Sequence, residues 1–353
     1  MFDENRQNFF QIEYNTIATS LGSIEDGVSK SLTEISKQLN LGWHLGASQI
    51  YETNNTQMYA DGLLETFRAY GNPDAVIFAI VATEEVNLYD IGAHEAYLAA
   101  QGVKVFKVTF EELIDCHSYD ADTGKVSLYG REGAVFYLRH GYQPAHYNEE
   151  IWEMRSRLEC SKAIVIPSVN SHLIGSKFLQ GVLNKKAEIL RFGFTDQEAD
   201  SLLENFATIK VLEDFPNGTK EEMISFMEKS ATGADNFVLK PQSEGGGNNH
   251  YGEEVLEKIK EFDTETLKSY ILMERIWPGV ATGIFFDGAD ISLDQVISEF
   301  GVYSWFLGDD EKICKEGSGD ILLRSKLKDT TEGGVNTGYS YIDSVLLDNG
   351  TDS

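Results

Sequence analysis

The sequence predicts an α/β fold in which a parallel-sheet unit is inserted into a larger mixed domain. From about residue 74 an apolar run, AVIFAIVAT, gives way to an amphipathic segment, GAHEAYLAAQG, and then to two more apolar runs, VKVFKVTF and AVFYLRHGY. Continuous β-branched runs separated by a helix-period segment ending in Gly are the pattern of a parallel sheet covered on both faces. Downstream, FVLKPQ, SYILMERI, DQVISEFGVYSWFLG and DILLRSKLK read as strands with fewer helices between them. Helical segments at 25–40 and 55–71 come before the parallel unit and are expected to pack with the second half. The division is therefore 1–71 with 176–353 as one domain and 72–175 as the insertion.

Composition sets the limits. With 353 residues, 42% of them hydrophobic, the chain can bury a large core and has room for two domains. A formal charge of −28 disfavours binding to nucleic acid or to anionic lipid, so an anionic ligand must be drawn in by local cations and backbone N–H groups. Cys116, Cys160 and Cys314 are scattered and odd in number, which suggests neither a disulfide framework nor a zinc site. No signal-peptide pattern and no membrane-length apolar run is present, so the chain as written reads as cytoplasmic.

The stretch that carries the most chemistry is 240–251, KPQSEGGGNNHY. Glycines let a backbone approach a ligand, and successive exposed N–H groups make an anion nest. A bare Gly-Gly-Gly is ordinarily a surface hairpin. Here Lys240 ends an apolar strand, Glu244 precedes Gly245, Gly246 and Gly247, and Asn248 and Asn249 follow, which favours a nucleotide and a divalent cation. The loop lacks the GKS or GKT of a Walker A motif. Near the start, QIEYNTIATS places Glu13 and Asn15 two residues apart, on one face if the segment is a strand, and such oxygen ligands suit Mg²⁺. ILMERI, residues 271–276, could line an adenine slot. Glu299 lies among apolar neighbours, and Arg324 and Lys326 share a strand face where two cations converge on an anion. EGGVNTG at 332–338 is a second glycine loop.

Taken in order, QIEYNTIATS, EEVNLYD, YLRHGYQP, GSKFLQ, FVLKPQSEGGGNNHYGEE, YILMERI, ISEFGVY and LLRSK with EGGVNTG resemble eukaryotic glutathione synthetase, of the ATP-grasp superfamily, over nearly the whole chain. The resemblance implies an ATP-grasp fold carrying an inserted substrate-binding domain. It also implies an ATP-dependent ligase that phosphorylates the C-terminal carboxylate of γ-glutamylcysteine, lets glycine attack the acyl phosphate, and works as a homodimer with two Mg²⁺ ions. Glu13, Asn15 and Glu244 become the metal ligands. Lys177 and Lys240 contact ATP phosphates, and the loop 240–251 forms a lid closed by Tyr251. Met273, Glu274, Arg275 and Ile276 line the adenine pocket, Glu299 and Lys326 complete the nucleotide site, and Glu332 stands where the family has Asp. Lys240 and Arg324 take the catalytic role of stabilising transferring charge.

On the peptide side the resemblance assigns Ile17, Ser20, Glu85, Asn87, Arg139, His140, Gly141, Tyr142, Arg324, Val335 and Asn336. Several positions depart from the family: Ala18 replaces Ser, Ile91 replaces a substrate-binding Gln, His140 replaces Asp, and VNT at 335–337 replaces VAA. Each lost partner in a buried pocket costs about 1–3 kcal/mol, so an altered substrate range is expected. On this reading Ile91→Gln restores turnover of γ-glutamylcysteine. The family carries a segment before MFD that includes a carboxylate-binding arginine. Its absence is expected to reflect truncation or a divergent paralogue, with secretion open in the first case, as in the secreted glutathione-synthetase-like effectors of plant-parasitic nematodes. A non-catalytic or effector-like ATP-binding protein is the alternative to a ligase, and a fragment without independent fold is a third reading. Cys116-His117 has no partner acid or base, and Trp277 and Trp305 read as packing residues.

Overall fold

The computed structural model describes residues 1–348 apart from 41–43, 46–47, 231, 243–247, 288–289, 310, 331–332 and 336–337. The chain divides into two compact units. One comprises Ile17–Asn170, Phe300–Arg324 and Ile342–Ser353, and the other Met1–Thr16, Ser171–Glu299 and Ser325–Tyr341. The break therefore falls at 17 and 170 rather than at 72 and 175, and the helical segments of 17–71 join the parallel-sheet unit. Among the described residues, no helix is long and apolar enough to cross a membrane.

The parallel-sheet unit contains helices α1 (Gly22–Leu39), α2 (Asn55–Tyr70), α3 (Leu88–Ala100), α4 (Phe110–Cys116) and α5 (Glu149–Glu159). Its strands are β1 (Val76–Ile80), β2 (Val105–Val108), β3 (His117–Asp120), β4 (Lys125–Leu128), β5 (Arg131–Leu138) and β6 (Ile164–Ile166). β1 lies between β2 and β5, parallel to both, and β6 runs parallel to β5, as the apolar runs predict. β3 and β4 form an antiparallel extension. Alternate residues of β1 feed two cores: Ile77 and Ala79 enter one, Val76, Phe78 and Ile80 the other. The first core explains the position of α2. Ala60, Leu63, Leu64 and Phe67 recur at helical spacing and pack with Ile77, Val135 and Leu98, so this helix cannot leave the sheet without exposing its whole stripe.

The N-termini of α1 and α2 are capped from other helices. Neither Leu21 nor Asn54, the residues at their N-cap positions, makes a side-chain cap. Asp90 on α3 accepts the N–H groups of Leu21 (2.5 Å) and Ser23 (2.8 Å) at the start of α1. Asp26 on α1 accepts those of Asn55 and Thr56 (both 2.8 Å) at the start of α2. Each carboxylate satisfies orphan amides and opposes the positive end of a helix dipole.

The other unit is built on an antiparallel sheet of β7 (Ile209–Lys210), β8 (Phe237–Pro241), β9 (His250–Tyr251) and β10 (Tyr270–Glu274), in the order β7-β10-β8-β9. One face packs under α7 (Lys220–Glu228) and α8 (Glu253–Glu261) through Leu239, Leu272, Met223, Met227, Val255 and Ile259. The opposite face carries Phe10, Ile209, Ile271 and Met273, with α6 (Lys177–Leu183) against it: an added Cβ on Gly181 would lie 3.2 Å from Ile209. β11 (Ala281–Asp287) pairs antiparallel with the first part of β12 (Asp290–Gly308), which is followed by β13 (Ile313–Leu327).

Glu25 on α1 is buried, and its Oε2 has no hydrogen-bond partner among the described residues. Burial, with Asp343 and Asp26 adding to it and the Ser344 hydroxyl opposing, pushes its carboxyl up to about 8. The native state thus holds a proton that the unfolded chain releases near pH 4.5, and stability falls as pH rises between those values. Glu25→Gln is expected to leave stability unchanged at pH 4 and raise it by roughly 3 kcal/mol at pH 8, measured by urea unfolding at both pH values.

Candidate functional site

In the antiparallel-sheet unit the cross-strand register puts the expected nucleotide residues on one surface. Ile209 pairs with Met273, Met273 with Val238, and Val238 with Tyr251, so one row crosses all four strands with its side chains on the same face. Lys240 pairs with Ile271 one row along and is 7% exposed. Burial lowers its ammonium below the usual lysine range, with Lys177 and Lys326 acting in the same direction and Glu13 and Glu299 against it. A strand of four buried apolar residues thus ends its ligand-side face in a cation, surrounded by two more lysines and two carboxylates.

Lys177 opens α6 and is 6% exposed, with its Nζ 3.9 Å from Glu13 Oε2. The start of α6 is held by the Ser176 hydroxyl, which accepts from the N–H of Leu179 (3.4 Å), and by Gln242 Oε1, which accepts from Phe178 (3.1 Å). Residues 12–16 are not a strand. Gln11 alone bridges to Phe206, yet Asn15 Nδ2 still lies 3.5 Å from Glu13 Oε1. As placed, the Asn15 amide turns its N–H donor toward the Glu13 carboxylate; with that carboxamide rotated end for end its oxygen would join the carboxylate, and this pair of oxygen donors suits a hard divalent cation such as Mg²⁺. Glu244, expected to be the third ligand, lies outside the described residues, as do Gly245, Gly246, Gly247, Glu332 and Asn336. Asn248 is exposed, and Asn249 Nδ2 donates to the Tyr251 hydroxyl (3.4 Å).

The segment expected to line adenine is braced by residues with no motif to single them out. Asp3 is fully buried and accepts from Arg6 Nη2 (2.9 Å), Arg6 N (2.8 Å) and Trp277 N (2.9 Å). Arg6 in turn pairs with Glu274 at 3.2 Å. Strand β10 stops at Glu274, so Arg275 and Ile276 belong to the turn beyond it, where the Arg275 guanidinium lies 4.2 Å from the Trp277 ring centroid. DENR at 3–6 is a short polar turn with no motif value, and only the fold brings it to residue 274. On β13, Lys326 and Arg324 flank Ser325, whose hydroxyl bonds that of Ser298 (2.8 Å). Lys326 falls in this unit and Arg324 in the other. Val335, half-buried, accepts the N–H of Gly338 in a turn (3.0 Å).

In the parallel-sheet unit Arg139 follows the C-terminal end of β5 and is 5% exposed. Its Nη1 donates to the Thr19 carbonyl and to Tyr137 Oη, while its Nε has no partner and it makes no ion pair among the described residues. Ser20 is held through its carbonyl, which accepts from the Tyr303 hydroxyl (2.7 Å), and Ile17 is half-buried against the second core. Asn87 caps α3 and donates to Asp90 (2.8 Å), so its amide is engaged in positioning, and Glu85 accepts the N–H of Asn87 (2.9 Å). Gly141 has φ 94°, and a Cβ there would lie 2.6 Å from the Tyr147 hydroxyl, which donates to its carbonyl (2.8 Å). His140 and Tyr142 are half-buried in the loop that follows.

Ile91 corrects the sequence expectation most directly. It is 3% exposed and belongs to the α2–α3–sheet core, so a glutamine there meets apolar neighbours.

Residues 1–347 match the family model for the eukaryotic glutathione synthase ATP-binding domain. The chloroplastic glutathione synthetase of Arabidopsis thaliana is 34% identical over 98% of this chain and 64% of its own length. That of Solanum lycopersicum is 31% identical over 98% and 63%, and the Homo sapiens glutathione synthetase 32% identical over 95% and 69%. Among solved structures, an apo glutathione synthetase-like effector from Globodera pallida superposes with TM-score 0.72 at 18% identity, covering 95% of this chain and 71% of the other. The fold and the residue set together define an α/β protein of the ATP-grasp type. The chain belongs to the eukaryotic glutathione synthase family, and it spans less than two thirds of the length of the two plant relatives.

Two predictions follow from these positions. Ile91→Gln is expected to lower stability by about 2–4 kcal/mol through a buried, unpartnered amide, read as a fall in the urea midpoint. Asp3→Ala leaves Arg6 and the Trp277 N–H without their buried acceptor and should cost about 2–4 kcal/mol, with the same readout.

Proposed function

We propose that the chain is an ATP-dependent ligase that joins an amino acid, glycine or a replacement, to a γ-glutamylcysteine-like peptide, with a substrate range shifted from that of its relatives. The observation that carries this is the pair of buried cations, one in each unit. Lys240 is sunk in an apolar sheet face with Lys177 and Lys326 around it and only Glu13 and Glu299 to offset the three cations, and Arg139 is buried with an unpartnered Nε and no ion pair among the described residues, Glu85 and Asp90 acting on it from a distance. An excess of buried positive charge is costly, and such an arrangement is maintained where an anionic ligand supplies the balance.

In this reading the antiparallel-sheet unit binds ATP, with adenine against Met273 and the segment through Ile276, ribose and phosphate groups near Glu299 and Lys326, and phosphate oxygens on Lys177 and Lys240. The glycine loop 243–247 and Tyr251 serve as its lid. The peptide's carboxylate attacks the γ-phosphorus, ADP leaves, and an acyl phosphate forms. The amine of the second substrate then attacks the acyl carbon, losing a proton as inorganic phosphate departs. The lysines stabilise charge on the oxygens during transfer, and no enzyme nucleophile is needed. Glu13 and Asn15, with Glu244, would hold Mg²⁺, which supplies charge neutralisation for the phosphates when bound. In the parallel-sheet unit Arg139, Ser20, Glu85 and Tyr142 hold the peptide, and Asn87 orients this group. A homodimer and two Mg²⁺ ions are part of the same proposal.

The test is ATP-dependent phosphate release by the purified chain with Mg²⁺, comparing γ-glutamylcysteine plus glycine with other thiol peptides and amines. Release with any acid–amine pair, accompanied by the amide product, supports the ligase. ATP binding without release in every combination would instead favour a binding protein. Lys240→Met is expected to abolish phosphate release by at least ~10²-fold while leaving the urea midpoint unchanged or raised, because a buried cation is replaced by an apolar side chain of similar length. Glu13→Ala should remove the Mg²⁺ dependence of ATP binding, measured by calorimetry with and without the metal.

A further inference from the structure

The loop after Arg139 holds two imidazoles in direct contact. His140 and His146 stack with ring centroids 4.1 Å apart and planes 21° apart. Tyr142 stands edge-on to both, 4.6 Å from His146 and 6.1 Å from His140. The loop between them is fixed at its glycine, since Tyr147 hydrogen-bonds the Gly141 carbonyl and stacks at 4.1 Å on Trp152 of α5. The His146 Nδ1 is buried and has no partner among the described residues. Two parallel rings at this separation cannot both carry a full charge at modest cost, because like charges a few ångströms apart repel strongly in a partly dry setting.

We infer that His140 and His146 act as one unit that takes up a single proton as the medium acidifies, adding one positive charge to the loop that follows Arg139 and tightening the hold of this unit on a carboxylate-bearing peptide. The inference rests on the peptide-binding reading of Arg139 given above. It also gives a role to the histidine at 140, which stands where the sequence resemblance leads one to expect an aspartate: an acid there would hold a fixed negative charge at neutral pH, whereas the imidazole pair is neutral there and positive only in acid.

The surroundings agree in sign. Burial lowers both imidazoles from their ordinary value; on His140 the carboxylates of Glu111 on α4 and Glu85 before α3 act against it, and on His146 the second influence is His140 itself. The apolar neighbour on α4 is Phe110, 6.1 Å from His140. From the side of α5, the groups acting on Tyr147 are Arg155 and Glu159, and burial raises that phenol, so it stays neutral throughout. Both rings are therefore uncharged at pH 7.5, and charge arrives below the ordinary histidine range.

The experiment is ¹H–¹³C NMR of the histidine Cε1 signals and ¹H–¹⁵N NMR of the Arg139 Nε–H in the 353-residue chain between pH 7.5 and 5. It is paired with calorimetric binding of γ-glutamylcysteine at pH 7.5 and 5.5. The expected result is that the two imidazole signals move together with an uptake of one proton in total, and that the Arg139 Nε–H moves with them. In His146→Gln the remaining His140 should titrate at higher pH. Binding should be at least about twofold tighter at pH 5.5 than at 7.5, the effect of one added charge in the same loop, and the ratio should fall to one in the His140→Gln/His146→Gln double variant. Independent one-proton titrations of the two rings, an unmoved His140 midpoint in His146→Gln, or a double variant that keeps the pH ratio would each overturn the inference. If γ-glutamylcysteine binds at neither pH, the peptide reading fails. The inference is then judged on the ring titrations and Arg139 alone, and a stationary Arg139 signal overturns it.

Discussion

The carboxylate of Asp90 is the contact on which the parallel-sheet unit turns. It is buried on α3, accepts two backbone amides at the start of α1, and receives the side chain of Asn87. Those bonds fix residues 21–23 in a turn where Leu21 has φ 77°. With α1 in place, its Asp26 caps α2, and α2 can lay its apolar stripe on the sheet. The same turn carries Thr19 and Ser20, whose carbonyls are taken by Arg139 and Tyr303. A single buried anion, stabilised by helix-end amides, thus organises two helices and the loop that bears the expected peptide contacts.

The antiparallel-sheet unit follows a different logic. Here a cation is buried, and the structure leaves it with neighbours of both signs. Hydrophobic burial on the helix-covered face of the sheet supplies the stability, through Leu239, Leu272 and the residues of α7 and α8. That surplus lets the other face carry Lys240 at the end of an otherwise apolar strand. Asp3 and Arg6 brace the end of β10 and the segment after it from the chain's first residues, so that segment is fixed by bonds between residues about 270 positions apart in sequence. The two faces thus differ in kind, one wholly apolar and the other an apolar patch that ends in a buried cation, as the period-2 alternation of a strand permits.

Much of this was legible beforehand because it depends on local pattern. The parallel strands β1, β2 and β5 follow from continuous β-branched runs, and the place of Lys240 from FVLKP, where a charge closes an apolar strand. Other features were not. The spacing of Glu13 and Asn15 places them on one face only if QIEYN is a strand, but among these residues Gln11 alone bridges to another segment, and the Glu13–Asn15 contact is made by irregular backbone. Ile91 stands where the resemblance places a substrate-binding Gln, whereas α3 turns this side chain into the core. Helices α1 and α2 read as companions of the second half because their polar sequence gives no sign of which sheet they cover.

What the sequence by itself determined was the set of elements, their type, and the chemistry of the charged and glycine-rich stretches, since these rest on side-chain period and residue type. Only the tertiary structure decided which carboxylates cap which helices, how Arg139 is engaged, and that His140 lies on His146. Those facts depend on contacts between residues distant in sequence or on the path of a loop, and the free energy of burying each group is set by neighbours that no local window contains.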